Sequence, residues 1–123
     1  MNRYLNLIII GENKILVRKR RFWKSTWNFI ERTLPKKYDL NISENLQRFY
    51  PEAEIKKFGW QVFEETGDEE EFWAIRFRDV PKLPRSLFYK YMWINKEDAK
   101  IRTRNYGPDV FYYIQKFFGY VDY

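Results

Sequence analysis

At 123 residues with neither cysteine nor histidine, the chain excludes disulfides, thiolate and imidazole metal sites, cysteine nucleophiles and serine–histidine triads. Its 23 Lys and Arg against 17 Asp and Glu give a formal charge of +6, and aromatic residues make up 21% of the chain. This length suits one domain over residues 1–123, any catalysis is confined to carboxylates, Lys, Arg, Tyr or Ser/Thr, and a bound metal would need oxygen ligands.

Tyr4 to Ile10 is β-branched and apolar enough for a buried strand, and Gly11 to Lys14 is a turn that returns the chain as a second strand over Ile15 to Arg20. That second strand changes from apolar to strongly basic at residues 18–21, and three large aromatics (Phe22, Trp23 and Trp27) follow. Residues 22–40 show no clear period and read as a loop marked by Pro35. A short helix is expected over Ile42 to Tyr50, capped by Asn41 with Glu44 at its third position and stopped by Pro51. Ile42, Leu46, Phe49 and Tyr50 form its apolar stripe.

Phe58 to Phe63 and Phe72 to Arg78 read as two further strands, the second alternating Trp73, Ile75 and Phe77 with Arg76 and Arg78. Between them Glu64 to Glu71 holds six acids and no base, which reads as a solvated turn and leaves the positive charge concentrated elsewhere. Leu87 to Ile94 is an aromatic strand, and Asn95 caps a short helix with Asp98 placed to complement it. Lys100, Arg102 and Arg104 add a second basic cluster. Pro108 and Gly119 bracket a terminal helix whose Val110, Phe111, Ile114, Phe117 and Phe118 share one face. No run approaches the roughly 20 apolar residues of a membrane span, so the chain reads as soluble and cytoplasmic. Its wealth of Lys, Arg and Glu is of the kind found in proteins from hot environments.

The order of these elements, with Leu16-Val-Arg-Lys-Arg, Trp27-Asn-Phe-Ile and Trp93-Ile-Asn-Lys-Glu-Asp in their places, resembles the Nudix hydrolase family over nearly the whole chain. The resemblance implies an α+β fold, a mixed β-sheet sandwiched between helices, and in that family a Glu-rich helix binds divalent metal to cleave a substituted diphosphate. Aligned on the diagnostic box of the family, Arg48 takes the place of its Arg and Glu52 that of the first paired Glu. The Glu after the Arg is Phe49 and the second of the pair is Ala53, while Leu34 and Leu40 stand where Gly and the first Glu belong. Pro51 interrupts the helix that would hold these carboxylates together.

The resulting expectation is a Nudix-like domain without catalysis or cofactor. It would bind a polyanion, RNA or a ribonucleoprotein assembly before a free nucleotide. Arg18, Lys19, Arg20, Arg21 and Lys24 would contact phosphates, and Lys100, Arg102 and Arg104 would extend the footprint. Trp23 is as suited to stacking on a base as to packing, whereas core packing is the default for Trp27. One alternative is a divergent Mg²⁺-dependent hydrolase of nucleoside diphosphate derivatives using Glu44, Arg48, Glu52 and Glu54. Another is a structural subunit whose excess aromatics meet a protein partner.

Overall fold

The computed structural model describes residues 3–22, 26–34, 42–83, 85–100 and 105–119. The first hairpin forms because Gly11 is followed by two residues in the left-handed region, Glu12 (φ 47°) and Asn13 (φ 60°), the pair of angles that a two-residue turn between twisted strands requires. It joins β1 (Arg3–Gly11) to β2 (Lys14–Arg20), with Ile10 opposite Ile15. The two strands then diverge. A third, β3 (Ile30–Leu34), takes the place beside the first half of β1, with Ile30 opposite Leu7.

Helix α1 (Ile42–Phe49) leads to β4 (Glu54–Val62), β5 (Glu69–Phe77) and β6 (Tyr89–Ile94), and helices α2 (Lys96–Lys100) and α3 (Pro108–Phe117) close the chain. The strands lie in the order β4-β5-β1-β2-β6, with β3 on the side of β1 that β2 leaves. β1 and β5 run parallel and the other neighbours antiparallel, so the sheet is mixed. Because β1 is central, both of its faces are buried, which is why it reads as an uninterrupted apolar run. Leu5, Leu7 and Ile9 face α1 together with Leu16, Ile30, Trp73 and Ile75, against Ile42 and Leu46 of the helix. Ile8 and Ile10 face the other way with Ile15, Val17, Phe29 and Phe72, against Ala99, Val110, Tyr113 and Ile114 of α2 and α3. The expected sheet between helices is present. No helix among the described residues is long and apolar enough to cross a membrane.

Several sequence expectations are corrected. β3 lies inside the stretch read as a loop; it escapes notice because Glu31 and Arg32 are exposed and its pairing partner lies far upstream in β1. The acidic stretch is not all turn, since Glu69, Glu70 and Glu71 belong to β5. Glu71 is buried and meets Arg3 Nη2 at 3.1 Å and Lys57 Nζ at 3.2 Å, and Glu70 accepts from Gln61 Nε2 at 2.7 Å. Those partners sit on β1 and β4, where no local pattern points to them. Phe49, expected on the buried stripe of α1, is exposed and rests edge-on against Tyr50. The last strand starts at Tyr89 rather than Leu87, because Ser86 Oγ accepts the N–H groups of Phe88 and Tyr89 and holds a turn there. The Asn41 cap lies outside the described residues. The cap of α2 is present and reciprocal: Asp98 N–H donates to Asn95 Oδ1 at 2.8 Å, and Asn95 N–H to Asp98 Oδ2 at 3.2 Å.

Candidate functional site

The basic end of β2 is clamped between two partners. On one side β6 pairs with it through Arg20, and the ladder continues as Arg21 N–H donates to the Phe88 carbonyl at 2.9 Å. On the other, Arg18 and Asn28 exchange N–H···O bonds of 2.8 Å in both directions. The segment that carries Asn28 is itself fixed from behind, since Trp27 N–H donates to Asn105 and Gly107 N–H donates to Trp27. Asn28 Nδ2 is held by the Thr26 carbonyl and hydroxyl at 3.0 and 2.9 Å.

Between these walls lies an open cleft of about 360 Å³ lined by Arg18, Lys19, Arg20, Thr26, Asn28, Phe29, Glu31 and Tyr89. Two of its cations rest on aromatic faces. The Arg18 guanidinium lies 4.1 Å from the centre of the Tyr89 ring, and the Lys19 ammonium 5.0 Å from that of Trp27. Such contacts orient a cation without neutralising it, so the charge stays available to a ligand. Glu31 tempers the positive field on one wall and adds an acceptor. The cleft therefore combines cations, amide and hydroxyl groups and ring faces, the set that holds a phosphate beside an aromatic base.

Of the residues singled out in the sequence, Arg18, Lys19 and Arg20 all line this cleft, Arg18 and Arg20 from the face of β2 that carries Leu16, and Lys19 from the face that carries Val17. Arg21 is engaged elsewhere. Its Nε–H donates to the carbonyls of Ser86 and Tyr89, both at 3.1 Å, and so anchors the turn before β6. Trp27 packs half-buried against the core. Trp23, Lys24, Arg102 and Arg104 lie outside the described residues, as does the side chain of Lys100. Asn28, Glu31 and Tyr89 carry no local signal as cleft residues, because they arrive through long-range pairing; only the Arg20–Tyr89 register brings in the last of them.

The residues aligned with the family's metal-binding box are elsewhere. Glu44 is exposed in the first turn of α1 and Arg48 in its last, while Glu52 follows the helix end in a turn. Glu52 and Glu54 line a second cleft of about 360 Å³ with Glu12, Asn13, Arg76 and Arg78, at the β1–β2 turn. Glu54, Arg76, Ile10 and Ile15 lie abreast across the sheet. Arg20 is five residues further along β2, which puts the two clefts roughly 20 Å apart by strand rise and spacing. The sheet does not bring the box residues and the basic strand end together.

A hydrolytic Mg²⁺ ion needs several oxygens converging on one point. Among the described residues no three acidic side chains gather in this way. Glu44 lies in the first turn of α1 and Glu52 beyond the end of that helix, and Glu52 and Glu54 share their cleft with Glu12 and with two arginines, Arg76 and Arg78. The described residues thus present no converging carboxylate cluster of the kind the family's metal needs.

No family model matches the sequence, and a search of curated proteins finds no match. Solved structures do match across nearly the full length. MutT from Aliivibrio salmonicida and Vibrio cholerae aligns with a TM-score of 0.68 at 13% identity, covering 98% of each chain. The Escherichia coli dihydroneopterin triphosphate pyrophosphohydrolase aligns at 0.66 with 9% identity, over 97% of this chain and 96% of its own. A NUDIX family hydrolase from Clostridium perfringens aligns at 0.57 with 12% identity, over 98% of each. At such identities the likeness speaks to architecture, and the mixed sheet between α1 on one face and α2 and α3 on the other is the Nudix fold.

Proposed function

We propose that this Nudix-fold chain binds a polyanion, RNA first, through the cleft at the basic end of β2, and that it does so without hydrolysing it. The observation that carries the proposal is the clustering of Arg18, Lys19 and Arg20 with Asn28 and Tyr89 in one open cleft. The sequence alone could place only the cations. Arg18 and Lys19, braced on rings, would meet phosphate oxygens, while Asn28 supplies a polar contact and Tyr89 a ring edge. Glu44 stands apart on α1, and Glu52 and Glu54 share their cleft with Arg76 and Arg78, which supports a binding role over a catalytic one.

The opposing reading, a divergent hydrolase, is favoured by the likeness to a dihydroneopterin triphosphate pyrophosphohydrolase. Two measurements on the purified chain separate them. Fluorescence anisotropy with a labelled oligoribonucleotide reports binding, and release of phosphate or pyrophosphate from a nucleoside di- and triphosphate panel with Mg²⁺ or Mn²⁺ reports turnover. Binding without turnover is expected. Turnover lost on Glu52→Gln would overturn the proposal.

A further inference from the structure

Beside the cleft lies a group of large apolar side chains that neither core accounts for. Phe22, Leu87 and Phe88 are 82%, 80% and 71% exposed, and apart from Phe49 on α1 no large hydrophobic among the described residues is as exposed as these. One hydrogen bond places them at the same end of the ladder. Phe22 follows Arg21, whose N–H donates to the Phe88 carbonyl, so Phe22 and the Leu87–Phe88 pair leave the β2–β6 ladder at the same point. The turn is also braced rather than loose: Ser86 Oγ accepts two N–H groups within it, and Arg21 Nε–H donates to the carbonyls of Ser86 and Tyr89 on either side. The fold thus spends four hydrogen bonds on holding two apolar side chains out in water.

Exposed apolar groups in a fixed position mark a surface that is covered in use. The next residues on both strands identify the occupant. Arg20 pairs with Tyr89, and both line the basic cleft, so the apolar rim is continuous with a surface of strong positive charge. A protein partner matching this surface would need apolar and acidic groups side by side. A single-stranded nucleic acid has both parts in every nucleotide, an anionic phosphate and an apolar base face. A duplex turns its base faces inward and offers only phosphate and groove edges.

We infer that Phe22 and Phe88 form a stacking rim for an unpaired base, so that the site selects single-stranded over duplex RNA. The inference rests on the polyanion reading of the cleft and adds the division of labour: cations hold the backbone, the rim selects unpaired bases. Leu87 supports the rim from the side.

The test compares a labelled oligouridine with a duplex RNA of equal length, over a range of salt concentrations, for the wild type and two variants. Phe22→Ser with Phe88→Ser is expected to weaken oligouridine binding at least about five-fold, leaving duplex binding and the salt slope unchanged. Phe88→Trp, which keeps a ring face, is expected to hold wild-type affinity or improve on it. A double serine variant that binds oligouridine like the wild type overturns the inference while leaving the polyanion reading intact, as does a wild type that binds duplex equally well. If the wild type binds neither RNA, the polyanion reading falls and the rim assignment with it. Unchanged thermal midpoints show that the exposed substitutions leave the fold alone.

Discussion

The Arg18 guanidinium lies over the ring of Tyr89, 4.1 Å from its centre, although the residue paired with Tyr89 in the ladder is Arg20. The contact is diagonal across the two strands, and it turns a long, flexible side chain into a fixed one. Fixing Arg18 in advance lowers the ordering cost of gripping a phosphate. Tyr89→Leu is therefore expected to weaken RNA binding by about two- to five-fold, equivalent to the roughly 0.5–1 kcal/mol of an exposed cation–π contact. Tyr89→Phe, which keeps the ring, should bind like the wild type in the same anisotropy titration. Equal losses in both variants would assign the effect to the hydroxyl instead.

Gly107 packs directly behind the cleft. A Cβ built there collides with Asn28 Oδ1, and Asn28 is the residue whose backbone ties the cleft wall to Arg18. Gly107→Ala must push Asn28 out of its bonds to Thr26 or shift the wall. The atom met is the tip of an exposed side chain that can turn aside, so the stability loss in urea unfolding is expected to stay below about 1 kcal/mol, while RNA binding weakens. An alanine variant with unchanged affinity would show that the position of Asn28 is immaterial to the ligand.

Glu71 joins three strands through one carboxylate, receiving Arg3 from β1 and Lys57 from β4. The carboxylate is buried, while both cations keep substantial contact with water, so they remain solvated when it is removed. Glu71→Gln should then cost about 1–3 kcal/mol, the scale of charge-assisted hydrogen bonds, rather than the larger penalty of stranding a buried charge. A cycle with Arg3→Gln, read by urea unfolding, should show the two losses to be less than additive.

Tyr50, just past α1, stacks edge-on against Phe49 and Phe77. Burial pushes its phenol above the ordinary value of 10.0, and the positive charge of Arg32 opposes part of that shift. The folded state thus holds this proton more tightly than the unfolded chain does. The stabilisation is fully present below pH 10.0 and is lost as the pH rises through the higher folded value. Tyr50→Phe keeps the ring and lacks the proton. In urea midpoints taken on rising alkalinity, the wild type should lose more stability than this variant, and parallel curves would contradict the assignment.

What the sequence discloses here is what local chemistry controls. The β1–β2 turn at Glu12 and Asn13, the Asn95–Asp98 cap and the Pro51 stop are all written within four or five residues, and each is found where expected apart from the extended strand ends. The pieces that local chemistry does not disclose depend on distant partners. Ile30 becomes a strand residue because Leu7 is opposite, Glu71 is buried because Arg3 and Lys57 meet it, and Tyr89 joins the cleft because β6 pairs with β2 in one particular register. For the same reason the cations of β2 were visible as a group, while the amide and ring that turn them into a cleft were not.

The central claim is that the end of β2 grips phosphates. Neutralising it in the variant Arg18→Gln, Lys19→Gln, Arg20→Gln and measuring oligouridine affinity against salt tests this most directly. Each phosphate contact on a single strand contributes about 0.7 to the slope of log K against log salt. The slope of the variant should be shallower by about 2, with affinity reduced at every salt concentration. A variant that keeps the wild-type slope and affinity would contradict the account.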